Sequence, residues 1–459
     1  MANQPSREDI RKRVAESTKD AVILEEMKRF GFWKGELSPE LEDILQKQKE
    51  TETELNTLVR KQTRYRNPET LRKEMLKERM KASKQKRQEA KERKEQKRLA
   101  RAETWKKRKE TEVLYLGEEV SSRLSETEPN LEFLAKWNLP NIENPLALAN
   151  ALSLELSQLR FLTYNRKVSL VNHYKRFYIP KKMGGKRLIS APMPLIKSAQ
   201  LWILNNILYL IPHTDQAHGF IPQRSIVSNA AQHVGKELVL NLDLKDFFPS
   251  ISFSRVKGLF QSFGYSGQIS TLLALLCTEA EVEQVAIDGK KYFVSIGERT
   301  LPQGSPCSPA ISNLIAYKLD RRLQGIANKW GFVYTRYADD LSFSCGSDNL
   351  ENFQQLLWSV QEVVKSEGFT VHPEKIHIMR KGSRQEVTGL IVNRQIGIER
   401  KELHRFRALL QQIEKTGPIG KTWNGNPNLE NSMRGYASFV MMVNPELGIR
   451  FMKKIDSIF

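Results

Sequence analysis

The segment from Pro68 to Glu110 constrains the fold of this chain more than any other, because it offers almost nothing to a hydrophobic core. It reads PETLRKEMLKERMKASKQKRQEAKERKEQKRLARAETWKKRKE and consists almost wholly of Lys, Arg, Glu, Gln and Ala. Asn67 is a good N-cap, and Pro68 suits the first helical position. We therefore expect one long helix over about 68–112, a rod of roughly 60 Å at about 1.5 Å per residue.

This predicted helix carries much of the positive charge of the chain. Between Leu71 and Glu110 there are 18 Lys and Arg against 7 Glu, so +11 of the formal net charge of +20 over 459 residues lies here. The segment has no sustained apolar heptad seam, which argues against a coiled coil. A solvated spacer helix is one interpretation. We favour a basic arm that lies along a phosphate backbone without reading sequence, because so large a positive surplus indicates a nucleic-acid partner.

Cysteine and hydropathy patterns exclude several classes of protein. The three cysteines, Cys277, Cys307 and Cys345, are too widely spaced to suggest a disulfide framework or a zinc site. The first residues, MANQPSREDIRKR, lack the apolar stretch of a signal peptide. The longest apolar run, 201–211, is interrupted by two asparagines and is shorter than the roughly 20 residues that cross a bilayer. We expect a cytoplasmic protein without a membrane partner.

The composition changes near residue 140, which divides the chain into two parts. Residues 1–140 are charged, helix-favouring and poor in β-branched side chains. The stretch 144–166 predicts two short amphipathic helices, either a helix-turn-helix or a helix pair that introduces a larger domain. From about 168 to 393, turn signals and β-rich runs alternate with helical stretches, which is typical of an α+β domain. The segment 400–415 returns to an amphipathic helical pattern.

Two acidic clusters follow apolar stretches that read as strands. In 238-LVLNLDLKDFFPSIS-252 apolar residues alternate, so a strand should run into Asp243. In 334-YTRYADDLSFS-344 the adjacent Asp339 and Asp340 stand at the tip of a predicted hairpin, where aspartate is also favoured as a turn former. An aspartate at the end of a buried strand costs free energy unless a cation neutralises it.

A loop rich in Pro, Gly and Ser, 301-LPQGSPCSPAISN-313, leads into a predicted helix. Its backbone N–H groups and Gln303 could face a ligand, although an ordinary loop explains the segment taken alone. Three carboxylates on neighbouring strands, opposite such a loop, meet the requirements of two-metal phosphoryl transfer. We therefore predict two Mg²⁺ ions per active site, bound by Asp243, Asp339 and Asp340.

Taken together, these segments resemble the conserved motifs of reverse transcriptases. Residues 337–340 resemble the YxDD box, and Asp243 with Phe247 and Phe248 resembles the first metal-binding motif. The resembling segments, in chain order, are 178–192, 218–233, 238–252, 301–313, 334–344 and 368–379. The resemblance covers roughly residues 140 to 459 and implies a right-hand polymerase with fingers, palm and thumb.

The resemblance also implies roles for individual residues. Asp243, Asp339 and Asp340 would be the catalytic, metal-binding residues, with the carbonyl of Leu244 as a further ligand. Phe248 would lie beneath the incoming sugar, where a bulky ring leaves no room for a 2′-hydroxyl. The implied nucleotide-binding residues are Lys182, Arg187, Phe248, Gln303 and Lys375. Two interpretations of Lys375 stay open: it is a general acid that protonates pyrophosphate, or it is a solvated surface lysine.

Two shorter signals resemble the signatures of retron reverse transcriptases. One is 229-NAAQH-233, of the form NAxxH, and the other is the VTG triplet at 387–389. The long charged N-terminal extension is similar to that of the myxobacterial-type retron enzymes. This resemblance implies RNA binding by Asn229, His233, Val387, Thr388 and Gly389. A hydrogen-bonded core histidine is the alternative for His233.

The expected fold class is therefore α+β, a right-hand polymerase preceded by a mostly α-helical N-terminal extension. The expected regions are the extension at 1–140, fingers with N-terminal helices at 141–240, palm with fingers insertions at 241–392, and thumb at 393–459.

The resemblance implies an RNA-directed DNA polymerase that copies part of a cognate structured non-coding RNA, of msr–msd type, into single-stranded DNA (msDNA). Priming would come from a 2′-hydroxyl of that RNA. The implied partners are this RNA, its DNA product, dNTPs, host RNase H and a separate effector protein of an anti-phage defence system. A group II intron-like or diversity-generating reverse transcriptase, or a non-catalytic RNA-binding relic, is the alternative. We expect no maturase or endonuclease region after the thumb, and the intact aspartates disfavour a relic.

Overall fold

The computed structural model describes residues 7–35, 37–113, 115–118, 120–121, 124–180 and 184–459. By its internal contacts the chain divides into two units, Met1–Lys106 and Lys107–Phe459. Within the described ranges, no helix combines the length and apolar character that a bilayer crossing requires.

Helices make up the first unit. They are α1 (Arg7–Glu16), α2 (Lys19–Arg29), α3 (Pro39–Arg66) and α4 (Pro68–Thr111), the last ending just past the unit boundary. Thr18 caps α2 by accepting a hydrogen bond from the amide of Ala21 at 3.2 Å. The long helix predicted over about 68–112 is present as α4, whose described side chains are exposed apart from the half-buried Leu71. Its 44 residues span roughly 65 Å.

The second unit combines helices and strands. Its helices are α5 (Leu131–Lys136), α6 (Pro145–Ala151), α7 (Leu156–Thr163), α8 (Pro194–Asn206), α9 (Ile226–Ala231), α10 (Phe253–Ser262), α11 (Gly267–Cys277), α12 (Ser308–Ile315), α13 (Tyr317–Trp330), α14 (Phe353–Ser366), α15 (Arg400–Thr416), α16 (Leu429–Val443) and α17 (Pro445–Asp456). Its strands are β1 (Val168–Ser169), β2 (Tyr174–Pro180), β3 (Lys186–Pro192), β4 (Leu238–Asp243), β5 (Glu279–Ile287), β6 (Lys290–Thr300), β7 (Val333–Tyr337), β8 (Asp340–Cys345), β9 (His377–Arg380), β10 (Glu386–Val387) and β11 (Leu390–Ile391). The two helices predicted within 144–166 are α6 and α7.

A four-stranded antiparallel sheet in the order β7-β8-β4-β9 lies at the centre of this unit. The predicted strand running into Asp243 is β4, and the predicted hairpin is β7–β8. Leu238, Leu240 and Leu242 of β4 are buried in the main hydrophobic core, whereas Val239 belongs to a second core. Both faces of β4 are therefore covered by apolar side chains.

The main core packs helices against one face of this sheet. Helix α11 is buried along its whole length, which fits a sequence that is apolar all round. The smaller sheets are the hairpin β2–β3, the set β1-β6-β5 and the hairpin β10–β11.

The second core lies among α15, α16 and α17. The ring of Phe406 lies 5.0, 4.6 and 5.1 Å from the rings of Trp423, Tyr436 and Phe451. Val239 joins this cluster, so the last helices of the chain pack on the central sheet. The division of 107–459 into fingers, palm and thumb at the expected boundaries stays a prediction.

A fully buried ion pair fixes the hairpin β7–β8 to the core. Arg336 of β7 donates from Nε and Nη2 to the two carboxylate oxygens of Asp320 in α13, both at 2.7 Å. Its Nη1 donates to Asn313 Oδ1 at 2.9 Å and to the carbonyl oxygen of Ala338 at 3.1 Å. The guanidinium therefore holds the backbone of the hairpin turn itself.

The same carboxylate gathers two more donors. The hydroxyls of Thr214 and Tyr334 donate to Asp320 at 2.7 and 2.9 Å. A buried ion pair offsets its desolvation cost only when further hydrogen bonds satisfy the groups, and here each carboxylate oxygen of Asp320 accepts two.

A second buried polar contact joins β7 to β8 through His233. Its Nδ1 lies 2.7 Å from Ser344 Oγ, and its Nε2 lies 2.7 Å from Thr335 Oγ1. Burial lowers the pKa of His233 to about 3, so the imidazole is neutral at pH 7.

We expect Arg336→Met to lower the free energy of unfolding by about 3–5 kcal/mol, because Asp320 would stay buried without its cation. Arg321→Met, an exposed arginine on α13, is the matched control and should change it by no more than about 0.5 kcal/mol. Urea unfolding measures both. Equal losses in the two variants would contradict a structural role for the pair.

We also expect the stability difference between the wild type and His233→Gln to shrink as the pH falls. Below about pH 6.5 the unfolded chain protonates His233, whereas the folded chain resists protonation down to about pH 3. The wild type therefore loses up to about 1.4 kcal/mol per pH unit from this group across that window. The exposed His404→Gln is the control, and urea unfolding between pH 7 and pH 4.5 is the measurement. A pH-independent difference for His233→Gln would refute this prediction.

Candidate active site

The β4–β8 pairing brings the three predicted aspartates to one end of the central sheet. Asp243, the last residue of β4, lies directly opposite Asp340, the first residue of β8. The amide of Leu244 donates to the carbonyl oxygen of Asp339 at 3.0 Å. The backbones of the three residues therefore meet at the turn of the hairpin.

The turn is shaped by a close approach of two backbones. Ala338 has a left-handed φ of +56°, which is uncommon for a residue with a side chain. A Cβ at Gly219 would lie 2.8 Å from the amide nitrogen of Ala338, so only glycine fits there. Asn313 donates to the Gly219 carbonyl at 2.8 Å while accepting from Arg336. The loop with Gly219, the turn and the buried ion pair are thus connected.

Negative charge accumulates at this end of the sheet. Burial, followed by the charges of Asp339 and Asp243, raises the pKa of Asp340 to about 7. Burial also raises the pKa of Asp339, while the nearby charges of Lys375 and Arg187 oppose that increase. The ammonium of Lys375 donates to Asp243 Oδ1 at 2.8 Å. Three carboxylates against one contacting ammonium make this a place where additional positive charge is stabilising.

The three aspartates offer oxygen ligands for a metal ion but do not form a compact cluster. In the described part of the chain, no three His, Cys, Asp or Glu side chains form a ready cluster for a metal ion. Asp243 contacts Lys375 instead. The donor chemistry still fits a hard divalent cation, because carboxylate and carbonyl oxygens are the ligands that Mg²⁺ takes. The two-ion site at Asp243, Asp339, Asp340 and the Leu244 carbonyl stays a prediction.

The other residues predicted to bind nucleotide differ in burial and in their contacts. Arg187 is exposed on β3, opposite Ile179 of β2, and its charge acts on Asp339. The half-buried Phe248 lies 6.3 Å from the ring of Phe220. Lys182 falls outside the described residues.

The loop with Gln303 is anchored to β3. The backbone carbonyl of Gln303 accepts from the amide of Ser190 at 2.8 Å. A Cβ at Gly304, whose φ is +126°, would lie 2.7 Å from the Ser190 carbonyl oxygen, so this contact requires glycine. The side chain of Gln303 is half-buried.

The two retron-like signatures, about 155 residues apart in sequence, pack together. The VTG triplet forms the turn between β10 and β11, where Thr388 and Gly389 have φ of +48° and +82°. The Thr388 hydroxyl lies 3.4 Å from the carbonyl of Ile226 in α9. Val387 shares a core with Ala230 of the NAxxH motif.

Burial separates the members of these signatures. Asn229, His233 and Val387 are fully buried, Thr388 is half-buried and Gly389 is exposed. Among the residues that the structure describes, neither side-chain polar atom of Asn229 has a hydrogen-bond partner. His233 has the hydrogen bonds of a core histidine, which was the alternative considered for it. RNA binding by these five residues stays a prediction.

Sequence reasoning missed the residues that hold the active-site turn. Arg336 was visible as a charge within an apolar strand, directly before the YxDD box, but its partner Asp320 lies in another element. Asn313 was visible as the last residue of the Pro/Gly/Ser-rich motif, without an assigned role. Phe220 lies between Phe248 and Tyr337, 6.3 and 6.4 Å from their rings, and nothing in its sequence context predicted this.

Comparisons with known proteins identify the family of this chain. Residues 179–399 match the family described as "Reverse transcriptase (RNA-dependent DNA polymerase)". The retron Mx162 reverse transcriptase of Myxococcus xanthus is 41% identical over 345 residues, covering 72% of this chain and 70% of that protein. The retron Mx65 reverse transcriptase of the same organism is 39% identical, covering 71% of this chain and 74% of that protein.

One more distant relative and one solved structure also match. The retron Ec86 reverse transcriptase of Escherichia coli is 32% identical, covering 71% of this chain and 92% of that protein. A solved structure of telomerase from Candida albicans aligns with a TM-score of 0.38 at 13% identity, covering 62% of this chain and 56% of that chain. That score is too low to support an inference.

These matches confirm the predicted resemblance and the α+β polymerase fold class. A reverse transcriptase domain also implies dependence on a divalent metal ion. The chain belongs to the retron reverse transcriptases and is an RNA-directed DNA polymerase.

Proposed function

We propose that this polymerase copies part of a cognate structured non-coding RNA into msDNA, and that the first nucleotide is joined to a 2′-hydroxyl of that RNA. The observation that carries the proposal is the meeting of Asp243, Asp339 and Asp340 at one end of the central sheet, with Lys375 beside them. The relatives named as retron reverse transcriptases support the retron product.

The carboxylates of Asp243, Asp339 and Asp340, with the Leu244 carbonyl, would hold two Mg²⁺ ions. When bound, these ions would lower the pKa of the attacking hydroxyl and stabilise the leaving pyrophosphate. Burial raises the pKa of Asp339 and Asp340, so a neighbouring cation charge would favour their ionised forms.

Lys375 would act as the general acid for the leaving pyrophosphate. Its ammonium lies 2.8 Å from Asp243 Oδ1, which places a hydrogen-bond donor beside the three aspartates. A positioned ammonium can give its proton to the departing pyrophosphate. Arg187 and Gln303 would bind the incoming nucleotide, and Lys182 keeps its predicted phosphate-binding role. The Phe248 ring would exclude a ribose 2′-hydroxyl and so select dNTPs.

RNA recognition would use the exposed part of the packed signatures. Because Asn229, His233 and Val387 are fully buried, they would position the surface, while Thr388 and Gly389 at the β10–β11 turn would approach the RNA. The exposed basic helix α4 would bind phosphates without reading sequence. An effector protein for anti-phage defence and host RNase H complete the proposed partners.

The proposed priming predicts a covalent product. Purified protein, incubated with RNA transcribed from the DNA that flanks its gene, dNTPs and Mg²⁺, should make DNA that stays joined to the RNA on a denaturing gel. Asp339→Asn and Asp340→Asn should each lower the rate by about 10³-fold, because they remove charge where the reaction needs it. RNA binding should be unchanged.

The matched control is Asp348→Asn, an exposed aspartate just after β8, which should retain full activity. DNA that starts only from an added 3′-hydroxyl primer and migrates free of RNA would contradict 2′-hydroxyl priming. A product that forms at equal rates in Asp339→Asn and the wild type would contradict the catalytic assignment.

The basic helix predicts a change in the salt dependence of RNA binding. Lys84, Arg87 and Lys91 lie on one face of α4 at spacings of three and four residues. Replacing all three with Gln should flatten the slope of log K against log salt by about two, since each phosphate contact contributes about 0.7–0.9. Filter-binding titrations at several salt concentrations measure the slope. The control variant, Lys84→Arg with Lys91→Arg, preserves the charge and should preserve the slope. An unchanged slope in the Gln variant would refute phosphate contacts by α4.

A further inference from the structure

Helix α3 has an apolar stripe that the structure leaves exposed. Ile44, Leu55 and Leu58 are 58–59% exposed, and Leu41 is 39% exposed. Their spacing is that of a heptad repeat, with apolar residues at the a and d positions of the first and third heptads. Over 41–58 the a and d residues are Leu41, Ile44, Gln48, Thr51, Leu55 and Leu58. This seam is separate from α4, where the sequence shows no such repeat.

The neighbouring helices of the unit leave the seam open. Helix α4 begins directly after Asn67, and a single residue cannot reverse the chain, since helical hairpins use two to five. Helix α2 touches α3 at the polar position Gln48, whose Nε2 donates to Asp20 at 3.1 Å. The four aliphatic side chains of the seam keep their exposure beside that contact.

We propose that a second copy of this chain covers the seam, and that the two α3 helices pair as an antiparallel coiled coil. In this arrangement an a residue of one helix faces a d residue of the other. Centring the pair between residues 49 and 50 places Leu41 against Leu58 of the second copy and Ile44 against Leu55. Gln48, whose side chain donates to Asp20 of α2 in the single chain, would exchange that contact for Thr51 of the second copy. Apolar residues meet apolar residues, and the polar layers meet in the middle.

The flanking charges select this orientation. The g positions of α3 are Glu40, Lys47, Glu54 and Lys61, which alternate in sign. In an antiparallel pair g residues face g residues, and the same register places Lys47 opposite Glu54 of the second copy and Glu40 opposite Lys61. All four such pairs in the dimer have opposite charges, and charges at these positions decide helix orientation.

A parallel pair would lose part of this complementarity. There a g residue faces the e residue five positions further along the second helix, so Lys47 would meet Glu52, but Lys61 would meet Arg66 and two like charges would lie together. Glu54 would face the apolar Val59. Lys47 already forms an ion pair with Asp43 on its own helix at 2.7 Å, but both groups stay exposed enough to reach a partner.

The first test is the mass of the full-length protein in solution. After nuclease treatment, sedimentation equilibrium should show a reversible monomer–dimer equilibrium. Leu55→Glu places a charge in the seam and should abolish the dimer. Thr53→Glu adds the same charge at an outer f position and should leave the dimer intact. A monomer at all concentrations, association that disappears with nuclease, or a Leu55→Glu variant that still dimerises would each overturn the proposal.

The second test separates orientation from helix stability. Lys47→Glu and Glu54→Lys should each raise the dimer dissociation constant about tenfold, because each places like charges in two g–g pairs. An equimolar mixture of the two variants should recover wild-type association, because every g–g pair in the mixed dimer is again opposite in sign. A change in the helicity of either variant could not explain recovered association on mixing, because each chain keeps its own substitution in the mixture. Circular dichroism measures the helicity of each variant separately.

Two outcomes would overturn the antiparallel pairing. If Glu54→Lys alone left association unchanged, Glu54 would not face a charged residue, as in a parallel pair. If the mixture associated no better than either variant alone, the two positions would not face each other.

Discussion

The antiparallel register of β4 and β8 is the constraint on which the active site depends. Side chains along a strand alternate between faces, so a slip of one residue would turn Asp243 away from Asp340 and expose the leucines of β4. The buried Arg336–Asp320 pair opposes such a slip, because its two ends lie in β7 and α13 and its guanidinium also binds the Ala338 carbonyl. The contacts of Arg336 thus join the hydrophobic core to the turn that carries the predicted metal-binding aspartates.

The retron-like signatures are also held by packing between distant parts of the chain. His233 ties β7 to β8 by two hydroxyl contacts, and α9, which contains the start of the same motif, contacts the β10–β11 turn through Ile226 and packs Ala230 in a core with Val387. These two signatures are therefore mostly internal, and their exposed turn is the part available to a ligand.

Much of this arrangement was predictable from the sequence because it is local. The strand into Asp243, the hairpin at Asp339 and the start of α4 follow from alternation and capping over a few residues. The Arg336–Asp320 pair and the Lys375–Asp243 contact were not predictable, since each joins residues that only the folded chain brings together. The α3 seam was overlooked because its polar second heptad hides the repeat when the chain is read for apolar residues alone.

The approach of Gly219 to Ala338 limits how this part of the molecule can change over evolution. Gly219 is buried, and any side chain there would push on the turn that carries Asp339, so a substitution at this position would also displace a predicted metal-binding residue. Grafting or shortening the loop before Gly219 would accordingly change the backbone position of the turn at Ala338.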